Sequence, residues 1–425
     1  MLPITLFRNA QEKERIIAGL KKKHVKNLEI VDEIIALDEQ KRQVQSQSES
    51  LTASMNQASK SIGALMAQGK KEEADIAKKE VADKKEAAAQ IQQQLAALEK
   101  ELEDKIVSLP NLPHSSVPEG KTPEENEVVR SGGTMPDLAA EALPHWELTS
   151  KYDIIDFELG NKVTGSGFPF YKGKGARFQR GLVQYFLDFN TDAGFMEVQP
   201  PLMVNEASAY GTGQLPDKEG QMYHATEDNF YLIPTSEVPV TNIYRDEILK
   251  AEQLPVRFTA FTPCFRREAG SYGKDVRGLN RLHQFDKVEI VQLVKPETSY
   301  EALEGMVNHV EKLIQSLGLP YRILRLCGGD MSFTSALTYD FEVYSAAQKR
   351  WLEVSSVSNF ENYQTNRMKI RYRNEEGKVE LVHSLNGSSL ALPRIMACLI
   401  ENNQTAEGIK LPEVLRKYIP FEYIN

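Results

Sequence analysis

The sequence predicts an α+β protein in which an N-terminal antiparallel coiled-coil hairpin precedes a body built on a mainly antiparallel sheet. Three observations carry that expectation. Apolar residues recur in steps of four and three across residues 28–109, a stretch without proline. The two prolines of Leu109-Pro110-Asn111-Leu112-Pro113-His114 then end the helix, since proline lacks the amide that a helix needs. Beyond them, strand-like segments are not regularly separated by helices, which favours antiparallel pairing over a parallel βαβ sheet. The expected domains are residues 1–110 and 111–425.

Taken in order, the first apolar series is Ile30, Ile34, Leu37, Val44, Leu51, Met55, Ala58, Ile62 and Leu65, with gaps at Lys41 and Ser48. The second is Ala74, Ala77, Val81, Ala88, Ile91, Leu95, Leu98 and Leu102, with a gap at Lys84. A 3.5-residue repeat held this long is a coiled-coil pattern. Gly69-Lys70-Lys71 divides it into similar halves, so a hairpin is expected, each arm of ~35 residues reaching roughly 50 Å. Its weak seam suggests a projecting arm that meets a partner; a dimerisation coiled coil is the alternative. In the body, Phe195–Val198, Tyr231–Ile233 and Lys287–Val291 read as strands, and residues 176–190, 299–316 and 390–402 as helices.

Composition narrows the function classes. No run approaches the ~20 uncharged apolar residues of a membrane-spanning helix, and the N-terminal run is charged almost throughout, so a cytoplasmic protein without a membrane role is expected. The three cysteines, Cys264, Cys327 and Cys398, are scattered and odd in number, which argues against a disulfide framework or a zinc site. Residues 1–110 carry 18 basic and 18 acidic residues, so the whole net charge of −9 lies in the remainder. A neutral arm with runs such as Lys21-Lys22-Lys23 can meet phosphate that the body repels.

Four segments carry candidate chemistry. In Phe265-Arg266-Arg267-Glu268, the Gly- and charge-rich loop Ala269–Asn280, and Arg281 to Glu289, a strand, a loop and a returning strand would bring Arg266, Phe285 and Glu289 onto one face. There a guanidinium grips phosphate, an aromatic ring stacks on a purine and a carboxylate takes an amino group. Glu353-Val354-Ser355-Ser356 offers a carboxylate and a hydroxyl, hard oxygen ligands suited to Mg²⁺ on substrate phosphates. Ser384 to Ser389 reads as a small-residue loop feeding an apolar helix from Leu390, with Arg394 one turn in, an anion-friendly arrangement. Pro234-Thr235-Ser236-Glu237 offers a hydroxyl and a carboxylate in one loop, or a helix cap with an acidic first turn. No Ser/His/Asp arrangement is visible. The implied reaction is attack by a bound carboxylate on an activated phosphate, driven by positioning and charge neutralisation.

With these residues in view, the sequence resembles seryl-tRNA synthetase, a class II aminoacyl-tRNA synthetase, over nearly its whole length. Residues 28–109 look like the family's tRNA-binding arm. The stretch from Gly167-Phe168-Pro169 through Phe195 to Pro200-Pro201 looks like its first signature, which builds a homodimer interface; Phe265–Glu289 is similar to the second and Asn386–Arg394 to the third. The resemblance implies a serine–tRNA ligase acting through seryl-adenylate, with ATP as substrate and Mg²⁺ as cofactor. It implies tRNA(Ser) as partner through the arm and leaves tRNA(Sec) open as a second one.

Residue by residue, the resemblance implies that Arg266 binds the α-phosphate and lies near the serine carboxylate, and that Glu268, Leu282 and Phe285 hold the adenine side. Arg267, Val354 and Ser355 complete the ATP site, Arg394 meets the γ-phosphate, and Glu353 and Ser356 ligate Mg²⁺. Thr235, Ser236, Glu237, Glu289 and Ser388 line the serine pocket, with Arg266, Glu289 and Arg394 as the catalytic group. Three positions depart from the family pattern: Ser389, Pro393 and Leu337. Pro393 is expected in the first turn of its helix, where a missing amide costs least, so Arg394 should still point correctly; Leu337 leaves contacts at the rim open. Two rival classes are a paralogue that activates an amino acid for a carrier protein and a non-catalytic tRNA- or DNA-binding protein. The arm disfavours the first, and the presence of Arg266, Glu289, Glu353 and Arg394 the second.

Overall fold

A computed structural model describes residues 1–217, 219–269 and 277–425. They form two compact units, Met1–Pro110 and Asn111–Asn425.

The first unit is dominated by helices α1 (Ile30–Ala67) and α2 (Lys71–Val107). Lys105 pairs with Glu33 at 2.7 Å, Lys41 with Glu99 at 3.0 Å, and Lys84 donates to Ser54 at 2.9 Å. Partner numbers rise along one helix as they fall along the other, so the hairpin is antiparallel, as the repeat predicts. It turns at Gly69, whose φ of +75° suits a residue without Cβ. Ile34, Val44, Ala74, Leu98 and Leu102 are buried in the seam. The gap residues Lys41, Ser48 and Lys84 lie in it half-buried, with Lys41 and Lys84 sending their amines out to the opposite arm. Where the seam is polar, burial contributes little, and the hairpin relies on its length. At the base, Arg8 grips the buried Asp38 through Nε and Nη2, each at 2.8 Å.

The second unit centres on an eight-stranded sheet. Its strands are β1 (Glu127–Gly132), β2 (Met196–Glu197), β3 (Val256–Phe265), β4 (Gln284–Val294), β5 (Tyr321–Arg325), β6 (Leu337–Ser345), β7 (Arg350–Asn359) and β8 (His383–Ala391). They run across the sheet as β1-β5-β6-β7-β8-β4-β3-β2. Every neighbouring pair is antiparallel except β2 with β3. Helices α3 (Gly173–Asp192), α4 (Ser299–Ser316) and α5 (Leu392–Asn402) share one core with this sheet. Leu182 and Phe186 of α3, Val310 and Ile314 of α4, and Ile395 and Leu399 of α5 are wholly buried there with Val288, Ile290 and Phe341. Each such side chain contributes ~1.5–3 kcal/mol of hydrophobic burial. The expected strand at Tyr231–Ile233 pairs outside the main sheet, as Phe230–Leu232 between two short partners.

One expectation is corrected. Ser384–Ser389 is not a loop and the helix does not begin at Leu390: His383–Ala391 is strand β8, laid between β7 and β4, and α5 starts at Leu392. Small polar residues read locally as loop, but Leu385, Asn386 and Gly387 pair with β7 on one side and β4 on the other, which no local propensity encodes.

Candidate functional site

The face of the sheet opposite the helices carries a cavity of about 540 Å³. On β4 the alternation of side chains sends Val288 and Ile290 into the core and leaves Phe285, Lys287 and Glu289 on the cavity. Arg266 follows β3; its amide donates to the His283 carbonyl at 2.9 Å, which extends the β3–β4 ladder beyond the last pair. Its guanidinium stands 5.2 Å from the Phe285 ring centroid, a cation–π distance, and Nε donates to the Pro234 carbonyl at 3.3 Å. Arg266, Phe285 and Glu289 therefore share the face that the sequence assigned to them.

At one end lies a buried polar cluster. Lys287 Nζ is 2.6 Å from Glu289 Oε2 and donates to Thr235 Oγ1 at 2.8 Å, with both charged side chains under a tenth exposed. Ser388 Oγ donates to Glu289 Oε2 at 3.3 Å, and Thr235 Oγ1 accepts the Glu237 amide at 3.2 Å. Pairing is what permits charges at this depth. Glu237 accepts from Gln364 Nε2 at 2.6 Å; that amide is held the right way round because Gln364 Oε1 accepts from Ser384 Oγ at 2.8 Å. Burial, and then the neighbouring Glu289, raise the Glu237 carboxyl to about 7.

This shift has a measurable sign. A folded pKa above the ordinary carboxylate value means that the folded state holds a proton which the unfolded state gives up. The contribution to stability is complete below the unfolded value and is lost as pH rises to about 7. Unliganded Glu237→Gln, which cannot ionise, is expected to exceed the unaltered protein by about 1–3 kcal/mol at pH 8 and to lose that advantage at pH 4.5. Denaturant melts at the two pH values check it, and a pH-independent difference would contradict the buried ionisation.

Two β-bulges shape the walls of the cavity. Between β6 and β7, Phe341 faces Ser355 while Glu342 faces Glu353, so Val354 is an extra residue. On a regular strand Glu353 and Ser356, three apart, would point to opposite faces; the bulge puts both on the cavity and Val354 in the core. Between β4 and β8, Lys287 faces Ala391 while Glu289 faces Ser388. That second bulge leaves Ser388 on the cavity and lets Ser389 donate to Asn190 of α3 at 2.8 Å. Pro393 lies in the first turn of α5. From that turn Arg394 Nη1 donates to the Glu353 carbonyl at 2.6 Å and sits 3.8 Å from its Oε2, and Nε donates to the Asn280 carbonyl at 3.1 Å.

For a divalent cation the donor set is one carboxylate and one hydroxyl, Glu353 and Ser356, with Asp340 opposite Ser356 in the ladder. Among the described residues Asp340 Oδ1 is buried without a hydrogen-bond partner, and burial with Glu353 nearby raises its carboxyl well above the usual range. This is a place short of positive charge. Mg²⁺ retains most of its waters and takes few protein ligands, so the set suits it.

Of the predicted residues, Thr235, Glu237, Arg266, Glu268, Leu282, Phe285, Glu289, Glu353, Val354, Ser355, Ser356, Ser388 and Arg394 all line the cavity. Two lie apart. Ser236 is buried, with an Oγ that makes no hydrogen bond among the described residues, and Arg267 is exposed, its amide donating to the Gln221 carbonyl at 2.9 Å. Leu337 opens β6 inside the core, not at the rim, where Ser332 and Thr334 stand instead. Residues 270–276 of the predicted loop lie outside the described residues. Sequence reasoning missed Lys287, which the period-two pattern from Phe285 to Glu289 contains. It also missed Gln364, whose approach to the site is non-local and leaves no sequence signal; Asn386 lay within the predicted Ser384–Ser389 segment but was given no role.

A family model described as the seryl-tRNA synthetase N-terminal domain matches residues 1–113. One described as the tRNA synthetase class II core domain (G, H, P, S and T) matches residues 221–403. A serine–tRNA ligase of Salinibacter ruber is 50% identical, covering 100% of this chain and 99% of its own, and one of Chlorobium phaeobacteroides is 45% identical over 100% of both. The crystal structure of seryl-tRNA synthetase from Pyrococcus horikoshii complexed with ATP superposes with a TM-score of 0.91 at 31% identity, over 99% of each chain.

Proposed function

The chain belongs to the seryl-tRNA synthetase family, and on that premise we propose that its cavity holds serine and ATP side by side. The protein is an aminoacyl-tRNA ligase: it activates L-serine with ATP to seryl-adenylate and transfers the seryl group to the 3′ end of tRNA. The observation that carries the division of the cavity is the closed polar cluster of Thr235, Lys287, Glu289 and Ser388 directly beside the Arg266–Phe285 pair.

In this reading Glu237 and Glu289 receive the serine ammonium. Thr235, Glu289 and Ser388 bond its hydroxyl, and Lys287 holds Glu289 in place. Arg266 reaches the serine carboxylate and the α-phosphate, Phe285 stacks on the adenine with Glu268 and Leu282 beside it, and Arg394 meets the γ-phosphate. Mg²⁺ would be held by Glu353 and Ser356, where it would neutralise phosphate charge. The serine carboxylate oxygen bonds to the α-phosphorus as the bond to pyrophosphate breaks. No side chain acts as nucleophile; rate comes from orientation and from cations placed where charge develops.

The helical arm is proposed to bind tRNA(Ser), with tRNA(Sec) a second candidate for the same surface. A homodimer through residues 167–201 is part of the reading, supported by the exposed apolar side chains of Phe170 and Met196. So is a cytoplasmic location; no helix among the described residues is long and apolar enough to cross a membrane.

The test is ATP–pyrophosphate exchange with each of the twenty amino acids, with Mg²⁺ and without tRNA. Exchange with serine alone is expected. Alanine should trail by about 10⁴ in kcat/KM, because a pocket built to bond a hydroxyl is left unsatisfied without it. Comparable rates for the two amino acids would remove the serine pocket from this cluster.

A further inference from the structure

Outside the cavity, a buried polar cluster in the second unit surrounds Glu401, near the C-terminal end of α5. Both Glu401 and His145 are fully buried. Glu401 Oε1 accepts the His145 amide at 2.8 Å, His145 Nδ1 at 2.6 Å and Gln348 Nε2 at 2.9 Å, while Ser345 Oγ donates to Oε2. A carboxylate with four donors is rigid and holds the imidazole by one nitrogen. The other nitrogen, Nε2, accepts the Leu279 amide at 2.8 Å. That bond requires Nε2 to carry a lone pair, so the proton is on Nδ1 and points to Glu401.

Leu279 is not a core anchor chosen at random: it lines the nucleotide side of the cavity with Asn280, Arg281 and Leu282. Gly278, immediately before it, has φ +64°, and a Cβ there would stand 2.3 Å from His145 Nε2, so the chain passes the ring too closely for any side chain. Arg277 lies over the Trp146 ring at 5.4 Å. A second branch leaves the same carboxylate: Gln348 Oε1 accepts from Asn280 Nδ2 at 3.0 Å, and the Asn280 carbonyl accepts Arg394 Nε at 3.1 Å. The limb of chain between 277 and 282 is thus tied at successive residues to one buried carboxylate.

We infer that His145 is a positioning residue for nucleotide binding: clamped by Glu401, its Nε2 captures the Leu279 amide and sets the Leu279–Leu282 wall against ATP. The inference rests on the assignment of that wall to ATP. His145 touches no substrate and takes no part in the serine cluster, so its effect belongs to ATP parameters alone.

Asparagine and glutamine separate the two nitrogens. An asparagine amide reaches the Nδ1 position and retains only the Glu401 contact; a glutamine amide reaches the Nε2 position and retains the acceptor for Leu279. In serine-dependent ATP–pyrophosphate exchange by the full chain, His145→Asn is expected to raise KM for ATP at least about tenfold, with KM for serine within about twofold. His145→Gln is expected to stay within about threefold for both. Gly278→Ala presses on the same contact from the loop side, leaves the buried carboxylate in place and should reproduce the asparagine phenotype. Equal effects of Asn and Gln, a parallel rise in KM for serine, or an ATP KM unchanged in both His145→Asn and Gly278→Ala would overturn the inference. Absence of saturable ATP dependence in the unaltered protein would instead overturn the assignment of the cavity.

Discussion

Arg266→Ala is expected to lower serine-dependent ATP–pyrophosphate exchange by about 10³-fold or more, some 4 kcal/mol of transition-state stabilisation, with the fold intact. Arg266 is the guanidinium that stands over Phe285 at the junction of the two halves of the cavity. Among the described residues its side chain makes one long hydrogen bond, to the Pro234 carbonyl at 3.3 Å, so truncation removes little there that holds the chain together. On the proposed reading, what disappears is a planar fork of donors for the phosphate in a partly desolvated site, where each charge-assisted bond is stronger than in water. Arg266→Lys should recover only part of the loss, because a point charge cannot grip two oxygens in one plane. Exchange close to that of the unaltered protein, in a variant with an unchanged melting temperature, would withdraw Arg266 from the reacting phosphate.

The second large effect concerns the arm. Replacing residues 47–92 by a short glycine linker should leave exchange within about twofold and cut tRNA aminoacylation by about 100-fold or more, equivalent to about 2.7 kcal/mol. The cavity residues all belong to Asn111–Asn425, so serine activation in the proposed site is expected to need nothing from the hairpin. The deletion spares the base of the arm, where Asp38 is gripped by Arg8 and Lys41 and Lys105 pair across to Glu99 and Glu33. It removes the outer seam, whose half-buried Ser48, Ala58 and Lys84 are poor material for a core. Side-by-side assays of exchange and charging decide it; equal loss of both would make the hairpin a structural element.

The hairpin was legible because a coiled coil is a local code: the period that buries one face of a helix is written along the chain itself. Even the interruptions at Lys41, Ser48 and Lys84 fell on the seam, where Lys41 and Lys84 reach partners on the opposite arm. The face shared by Phe285 and Glu289 was legible for the same reason, strand alternation being a two-residue rule. Lys287 stood in the same pattern, but its charge disguised it as a surface residue; only its burial against Glu289 and Thr235 marks it as part of the site.

Other features had no local signature. Ser384–Ser389 carries the composition of a loop, yet lies as a strand between two others. Glu353 and Ser356 were paired as ligands three residues apart, a spacing that a regular strand would split between faces; the bulge at Val354 reconciles them, and it arises from the register with β6. The amide of Gln364 against Glu237, and the His145 imidazole between Glu401 and Leu279, join residues more than a hundred positions apart.

By itself the sequence determined the two-part organisation, the helical arm, the residue types of the cavity and the face on which β4 presents them, because short-period patterns and proline breaks act within a few residues. Tertiary structure alone decided the β7 and β8 bulges, the closed Thr235–Lys287–Glu289–Ser388 cluster and the tether of Leu279 to Glu401. Register, depth of burial and the satisfaction of buried polar groups are set by distant partners, and their energies exist only once those partners have met.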